Sequence, residues 1–288
     1  MEKNLLFYLD ASSRSFPNST ENYVARVFKE RHPGLNVSFS TEPDISRSEG
    51  MDAIFYRFDP PYDPCFLKSY DDHLSENPLV IGINPPRSVV SGNKRNLLQF
   101  VGSGVVVDSV VSADPVVLAS FASGVGKVIA KPLDGYAGNG IFVVDPRGLS
   151  SYEVEDAFFS RGGGLEDLLV QRFIDDVVFV GDKRLNVLFY EPVSASLRLP
   201  KDGSYLCNEQ HGKGFFKADV TDRDREIVSV VRPYLESMGA RWAGLDIIGP
   251  YLSEINLSCP GFCQADQLHG NDVTKKYLLE RLRSYDDA

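Results

Sequence analysis

The stretch Ile129-Ala-Lys-Pro-Leu-Asp-Gly-Tyr-Ala-Gly-Asn-Gly-Ile-Phe-Val-Val144 decides the fold. Its glycines fall as G-x-x-G-x-G, the reverse of the dinucleotide-binding order, and a strand-like run follows where that motif needs a helix. No Lys-Ser or Lys-Thr follows the last glycine, so it is not a Walker A loop either. What remains is a hairpin whose tip can close over phosphates with backbone N–H groups and no side chains in the way. Lys131, entering from the first strand, would add a fixed positive charge. A solvent-exposed hairpin turn is the competing reading.

A second stretch, Asp246-Ile-Ile-Gly-Pro-Tyr-Leu-Ser-Glu-Ile-Asn256, reads as two strands turned at Gly249-Pro250. Glu254 and Asn256, two apart, share a face, with Asp246 on the neighbouring strand. Two carboxylates and an amide carbonyl are the hard oxygen donors magnesium takes when it also coordinates phosphate. On an otherwise apolar hairpin they are costly to bury unpaired. A solvated face is the alternative.

Around these two hairpins the chain changes texture. Asn4–Leu9, Met51–Tyr56 and Leu79–Ile83 read as short buried strands, and Glu21–Glu30 has helical spacing. Strands alternating with helices predict a parallel α/β layer for the first hundred or so residues. Beyond it, strands are expected at Val105–Ser109, Lys127–Lys131, Ile141–Val144, Leu169–Phe173, Arg184–Tyr190 and Ala195–Leu199. A helix is expected over Arg223–Met238 and another over Thr274–Arg283. Arg198 sits on an alternating strand with Leu197 and Leu199 turned away, which makes it an anion-binding candidate. The Gly181-Asp-Lys-Arg184 run at a strand entrance is a weaker one. Arg57-Phe-Asp-Pro-Pro61 lies at a strand end, where open α/β sheets bind ligands; an ordinary Pro-rich turn reads equally well there.

Composition narrows the classes. With 288 residues, 43% hydrophobic and 24% charged, the chain can bury a large core. A formal charge of −10 argues against nucleic acid as a partner, since binding its backbone needs clustered cations. No apolar run reaches the roughly 18 residues of a membrane span, so no membrane partner is expected. MEKNLLFYLD lacks the form of a secretory signal, and the four cysteines (65, 207, 259, 263) show no zinc-ligand pairing. A reducing cytoplasm is the expected location. His32, His73, His211 and His269 are scattered and suggest no nucleophilic triad.

Taken in order, several pieces resemble the prokaryotic type of glutathione synthetase, a member of the ATP-grasp superfamily. They are Arg57-Phe-Asp-Pro-Pro, Asn93-Lys94, Lys131-Pro-Leu-Asp-Gly, Gln171-Arg-Phe, Gly181-Asp-Lys-Arg, Leu197-Arg-Leu-Pro, Gly244-Leu-Asp-Ile-Ile-Gly and Glu254-Ile-Asn. The resemblance implies an α/β and α+β ATP-grasp fold in three parts. These are an N-terminal parallel α/β domain (1–100), a lid subdomain with the Gly-rich loop (101–170), and a C-terminal antiparallel-sheet domain with the metal ligands (171–288).

It also implies an ATP-dependent ligase joining γ-glutamylcysteine to glycine through an acylphosphate, with Mg²⁺ or, as an alternative, Mn²⁺. ATP would be held by Lys94, Lys131, Asp134, Gly135, Gly138, Asn139, Gly140, Gln171, Phe173 and Asp182, with the backbone of 171–174 reading adenine. The metal would be held by Asp246, Glu254 and Asn256. Arg184, Arg198 and Asn208 would serve the reacting groups, and Arg57, Cys259 and Gly261 the substrates. A small-molecule acid and amine are the implied partners, and the family leaves room for a homo-oligomer.

Two segments depart from the family pattern. Asn208-Glu-Gln-His-Gly-Lys-Gly214 stands where the family has an Asn-Leu-Ala-Ala-Gly-Gly-like loop, and Ser258-Cys-Pro-Gly261 replaces a Thr-Ser-Pro-Thr-like run. The chain is also trimmed near Ser40–Asp44. The nucleotide half is intact and the substrate half altered. A ligase for a different acid and amine, or one adding amino acids to a peptide or protein, is therefore an alternative. A catalytically silent nucleotide-binding regulator is another, of a different class.

Overall fold

The structure, a computed structural model, describes residues 3–9, 23, 35–58, 61–133, 138–162, 164, 166–207, 212–258, 260–261, 263–270, 277 and 280–282. Three sheets follow one another along the chain. The first contains β1 (Lys3–Leu9), β2 (Leu35–Ser40), β3 (Ala53–Arg57) and β4 (Ile81–Ile83), in the order β2-β1-β3-β4 and parallel throughout. Period-two alternation fills both faces. Leu5, Phe7 and Leu9 pack with Phe55, Ile81 and Trp242, while Leu6, Tyr8, Ile54 and Tyr56 meet Phe66, Leu67 and Tyr70 of the helix Pro64–Glu76. The Phe7 and Phe55 rings stack at 4.1 Å. Asp63 caps that helix, accepting hydrogen bonds from the N–H groups of Cys65 and Phe66, with Pro64 at its first position. The expected helix over Glu21–Glu30 lies outside the described residues except for Tyr23, which is helical.

The second sheet is antiparallel, with β5 (Ser109–Ser112), β6 (Val128–Pro132), β7 (Phe142–Val144) and β8 (Leu168–Arg172) in the order β5-β8-β6-β7. β6 and β7 form the hairpin read from the glycine-rich stretch. Helices Pro115–Val125 and Ser151–Phe159 cover one face through Leu118, Ala122, Val154 and Phe158.

The expected strand over Val105–Ser109 is corrected: β5 begins only at Ser109. Val105 and Val106 are buried against the third sheet, with Val105 O accepting from Leu252 N–H (2.8 Å), so their apolar character serves packing and not a ladder. The true strand, Ser-Val-Val-Ser, lies at a sheet edge and is only half buried, so it carries a weaker pattern.

The third sheet orders β9 (Asp182–Leu188), β10 (Glu191–Pro200), β11 (Gly212–Ala218), β12 (Trp242–Ile248) and β13 (Tyr251–Asn256) as β11-β10-β9-β12-β13, all antiparallel. Helix Asp222–Met238 lays Ile227, Val228, Val231 and Leu235 on Leu185, Val187 and Leu245. Thr221 and Asp224 close its first turn as a capping box.

One side chain stitches the first sheet to the third. Asn84 is 2% exposed; its Nδ2 donates to Trp242 O (2.5 Å) and Leu257 O (2.7 Å), and its Oδ1 accepts from Trp242 N–H (2.9 Å). Asn84→Ala leaves those buried backbone groups without their partner and is expected to cost about 3 kcal/mol. Urea unfolding measures it; a loss below about 0.5 kcal/mol would show that the junction does not depend on this side chain.

Candidate active site

A cavity of about 580 Å³ opens between the second and third sheets, with residues of the first part of the chain (Pro61, Tyr62, Val89, Val90) along one wall. One end is apolar. Phe173, Val177 and Cys207 pack there with Ile129, Tyr205 and Ile248, a slot suited to a flat ring. The Phe173 N–H is tied to Lys127 O (2.8 Å), which narrows the backbone reading of the 171–174 hinge to its other groups.

Next to this apolar wall the cavity is crowded with charge, and strand register explains how. Asp246 on β12 pairs across to Arg184 on β9 and to Glu254 on β13, while Arg198 on β10 pairs with Asp182 on β9. Arg184 holds both Asp246 oxygens, with Nη2 to Oδ2 at 3.1 Å. Arg198 bridges Asp182 and Asp246, reaching Asp246 Oδ1 at 3.0 Å. Gly181 turns the chain into β9 at φ +92°, where a Cβ would stand 2.3 Å from Arg198 O. That close approach fixes a glycine next to the network.

These groups titrate unlike free side chains. Burial opposes the Asp246 charge, but the two guanidinium groups outweigh it and hold its carboxyl well below the usual range. Burial, with help from Asp246, pushes Asp182 up to about 6 against the pull of Arg198. Asp182 Oδ1 and Arg198 Nε are buried without a hydrogen-bond partner among the described residues. Orphaned buried polar atoms on a cavity wall fit a site that takes a polar ligand.

The cations come from two directions. Lys94 donates to Leu133 O (3.3 Å) and lies 3.7 Å from Glu254. Lys131 is 5% exposed, and burial lowers its pKa while Glu254 works in the other direction. Asn256 uses its Nδ2 on Gly244 O (3.2 Å) and Asp246 Oδ2 (3.4 Å), so its carbonyl oxygen is the atom left to ligate. Among the described residues no group of three or more His, Cys, Asp or Glu could hold a metal. The donor set is two carboxylates and an amide, which suits a hard cation that completes its shell with water and phosphate oxygens.

Of the residues singled out from sequence, Lys94, Lys131, Gly138, Gln171 and Phe173 line this cavity, as do Asp182, Arg184, Arg198, Asp246, Glu254 and Asn256. Four described residues do not. Arg57 is buried behind the wall, donating to Pro260 O (3.1 Å) with its guanidinium 4.9 Å from the Trp242 ring centroid. The wall-side placement of Gly261, and those of Asn139 and Gly140, are likewise not seen: the hairpin reaches the cavity through Gly138 and Ile141. Asp134, Gly135, Asn208 and Cys259 lie outside the described residues. Ser253 and Cys207 line the cavity without having been singled out.

Burial, and then the charge of Asp182, pushes the Cys207 thiol up to about 12. Iodoacetamide at pH 8 should therefore modify exposed Cys65 and leave Cys207 intact. Peptide mass mapping reads both sites; rapid labelling of Cys207 would contradict the burial.

The family model described as "Prokaryotic glutathione synthetase, ATP-grasp domain" matches residues 93–270. A glutathione synthetase of Synechocystis sp. is 31% identical over 82% of this chain and 74% of its own. Among solved structures, a D-cycloserine synthetase superposes with a TM-score of 0.68 at 17% identity, covering 97% of this chain and 99% of that one. An ATP-grasp ligase complexed with minimal precursor, Mg and ADP gives 0.64 at 15%, covering 99% and 98%. At such identities the solved structures establish the fold alone. No helix among the described residues is long and apolar enough to cross a membrane. The chain belongs to the prokaryotic glutathione synthetase family of ATP-grasp proteins, and it is an ATP-dependent, glutathione synthetase-like ligase.

Proposed function

We propose that this ligase joins a substrate carboxylate to an amine through an acylphosphate, using ATP and Mg²⁺, with γ-glutamylcysteine and glycine, the pair that makes glutathione, as its substrates. The observation that supports this reading is the single cavity in which an oxygen-donor face (Asp246, Glu254, Asn256) stands beside four cations (Lys94, Lys131, Arg184, Arg198) and an apolar slot. The reading divides the labour between a substrate-side domain over 1–100, a lid over 101–170 and a metal-bearing domain over 171–288, with β8 of the second sheet running across the last boundary.

In the first step a carboxylate oxygen attacks the γ-phosphorus and ADP leaves. In the second the amine nitrogen attacks the acyl carbon, phosphate leaves and the nitrogen gives up a proton. Asp246, Glu254 and Asn256 would hold a divalent cation, which would supply charge neutralisation for phosphoryl transfer. The chain's own part is positional and electrostatic. Lys94 and Lys131 offer fixed charge to phosphates, Arg184 and Arg198 offer guanidinium groups to the oxygens on which charge develops, and the Phe173–Val177 slot holds the base. Closing the lid would exclude water, which would otherwise hydrolyse the acylphosphate.

The test is phosphate release from ATP with γ-glutamylcysteine, with and without glycine, followed by a panel of other acids and amines. Glutathione formation supports the full reading. Turnover with another pair only would keep the ligase and replace the substrates, and tight ATP binding with no turnover on any pair would favour a silent regulator.

A further inference from the structure

Lys131 is held in a way the sequence did not foretell. Its stem leaves β6 in the second sheet, yet two of its three acceptors lie on β13 in the third. Nζ donates to Gln171 Oε1 (2.9 Å), Ser253 Oγ (2.9 Å) and Ser253 O (3.2 Å). Three acceptors match the three protons of an ammonium group. Gln171 is itself fixed, since its Nε2 donates to Ser109 Oγ (3.1 Å) on the neighbouring strand.

Ser253 reaches Lys131 because the ladder slips beside it. Asp246 pairs with Glu254, but Ile247 pairs with Leu252, so Ser253 is an extra residue on β13. Without that bulge, side chains at 253 and 254 would face opposite sides of the sheet. With it, both line the cavity, and the Ser253 carbonyl turns to Lys131. Bulges that re-aim a side chain beside a site are a recurrent device.

We propose that Ser253, presented by this bulge, is a positioning residue that clamps the Lys131 ammonium across the gap between the second and third sheets, so that the nucleotide meets a cation already aimed. A free lysine stem carries considerable rotamer entropy, and a clamp removes that loss from the binding step. The inference rests on the reading above that Lys131 contacts nucleotide.

A double-mutant cycle tests it. ATP affinity with Mg²⁺ is measured by calorimetry for the wild type, Ser253→Ala, Ser253→Thr, Lys131→Met and the Ser253→Ala/Lys131→Met pair, with melting curves and KM and kcat for each active form. Ser253→Ala removes one acceptor and should weaken ATP affinity about tenfold, as expected for one charge-assisted hydrogen bond. It should raise KM for ATP with kcat little changed and the melting point near wild type, and Ser253→Thr should restore affinity. The pair should bind no worse than Lys131→Met alone, because Ser253 acts through that ammonium. Effects that multiply in the pair, or full affinity in Ser253→Ala beside a weakened Lys131→Met, would overturn the clamp. Wild-type affinity in Lys131→Met would overturn the nucleotide role of Lys131 first, and the clamp with it.

Discussion

Glu254→Gln and Asp246→Asn are each expected to lower ligase turnover by about a hundredfold or more if these carboxylates hold the metal as proposed. The two variants should differ in everything else. Glu254 faces Lys94 at 3.7 Å and offsets the burial of the Lys131 ammonium, so its loss should cost the resting protein some stability, less than the loss of Asp246. Asp246 is gripped by Arg184 and Arg198 together. Neutralising it leaves two buried or half-buried guanidinium groups without their carboxylate, and the ligand-free protein should lose about 3 kcal/mol or more of stability. Phosphate release across a magnesium titration, paired with urea unfolding in the absence of nucleotide, separates the effects. Glu254→Gln should need more metal and lose clearly less stability than Asp246→Asn, which should fail on both counts. Near-normal turnover in either variant would contradict the oxygen-donor face.

How much of this was readable in the chain depended on whether the information was local. The β12–β13 hairpin was legible because Gly249-Pro250 separates two apolar runs, and period two puts Glu254 and Asn256 on one face. The β6–β7 hairpin was legible from its glycines, and the parallel first sheet from alternation with helices. Elements that lie at edges or start at unremarked caps were not. β11, Gly-Lys-Gly-Phe-Phe-Lys-Ala, pairs with β10 alone and carries glycines and lysines that read as loop. The helices at Pro64 and Pro115 carry Asp-Pro at cap and first position, a local signal with no apolar periodicity strong enough to mark the rest of the helix.

The electrostatic network is a different case. Arg198 stood out by strand alternation and Arg184, more weakly, by its place at a strand entrance, with the resemblance adding their roles, but their hold on Asp246 follows from the registers of β9, β10 and β12. No single segment states such a register. Ser253 is the sharpest example, since regular alternation turns it away from Glu254 and only the bulge brings it to Lys131. Arg57 is the opposite case: the strand-end rule points it toward the site, but its guanidinium meets Pro260 O and the Trp242 ring and does not line the cavity.

Arg198→Met should destabilise the ligand-free protein by about 3–5 kcal/mol near pH 8, since it strips the shared cation from two buried carboxylates. The deficit should shrink on acidification, and the sign follows from Asp182. Its folded pKa, pushed up to about 6, lies above the unfolded value near 3.9. The native state therefore holds this proton more tightly than the unfolded chain does. The stability it confers is complete below the unfolded value and is lost as pH rises through about 6.

Removing Arg198 takes away the opposing pull and raises Asp182 further, so in the variant the loss moves to higher pH. Asp246 runs the other way. Its depressed carboxyl contributes stability above the unfolded value that disappears as pH falls through the folded one, and Arg198→Met reduces that contribution. The Asp182 shift makes the gap between variant and wild type widest at alkaline pH and narrower near pH 5, while the Asp246 contribution is the same at both and falls away only below the unfolded value. Urea unfolding at pH 5 and pH 8 measures it. Arg198→Lys keeps a charge but cannot span both carboxylates with a planar fork, so it should recover part of the stability and less of the turnover. An equal deficit at the two pH values would mean that Asp182 does not take up the charge Arg198 leaves behind.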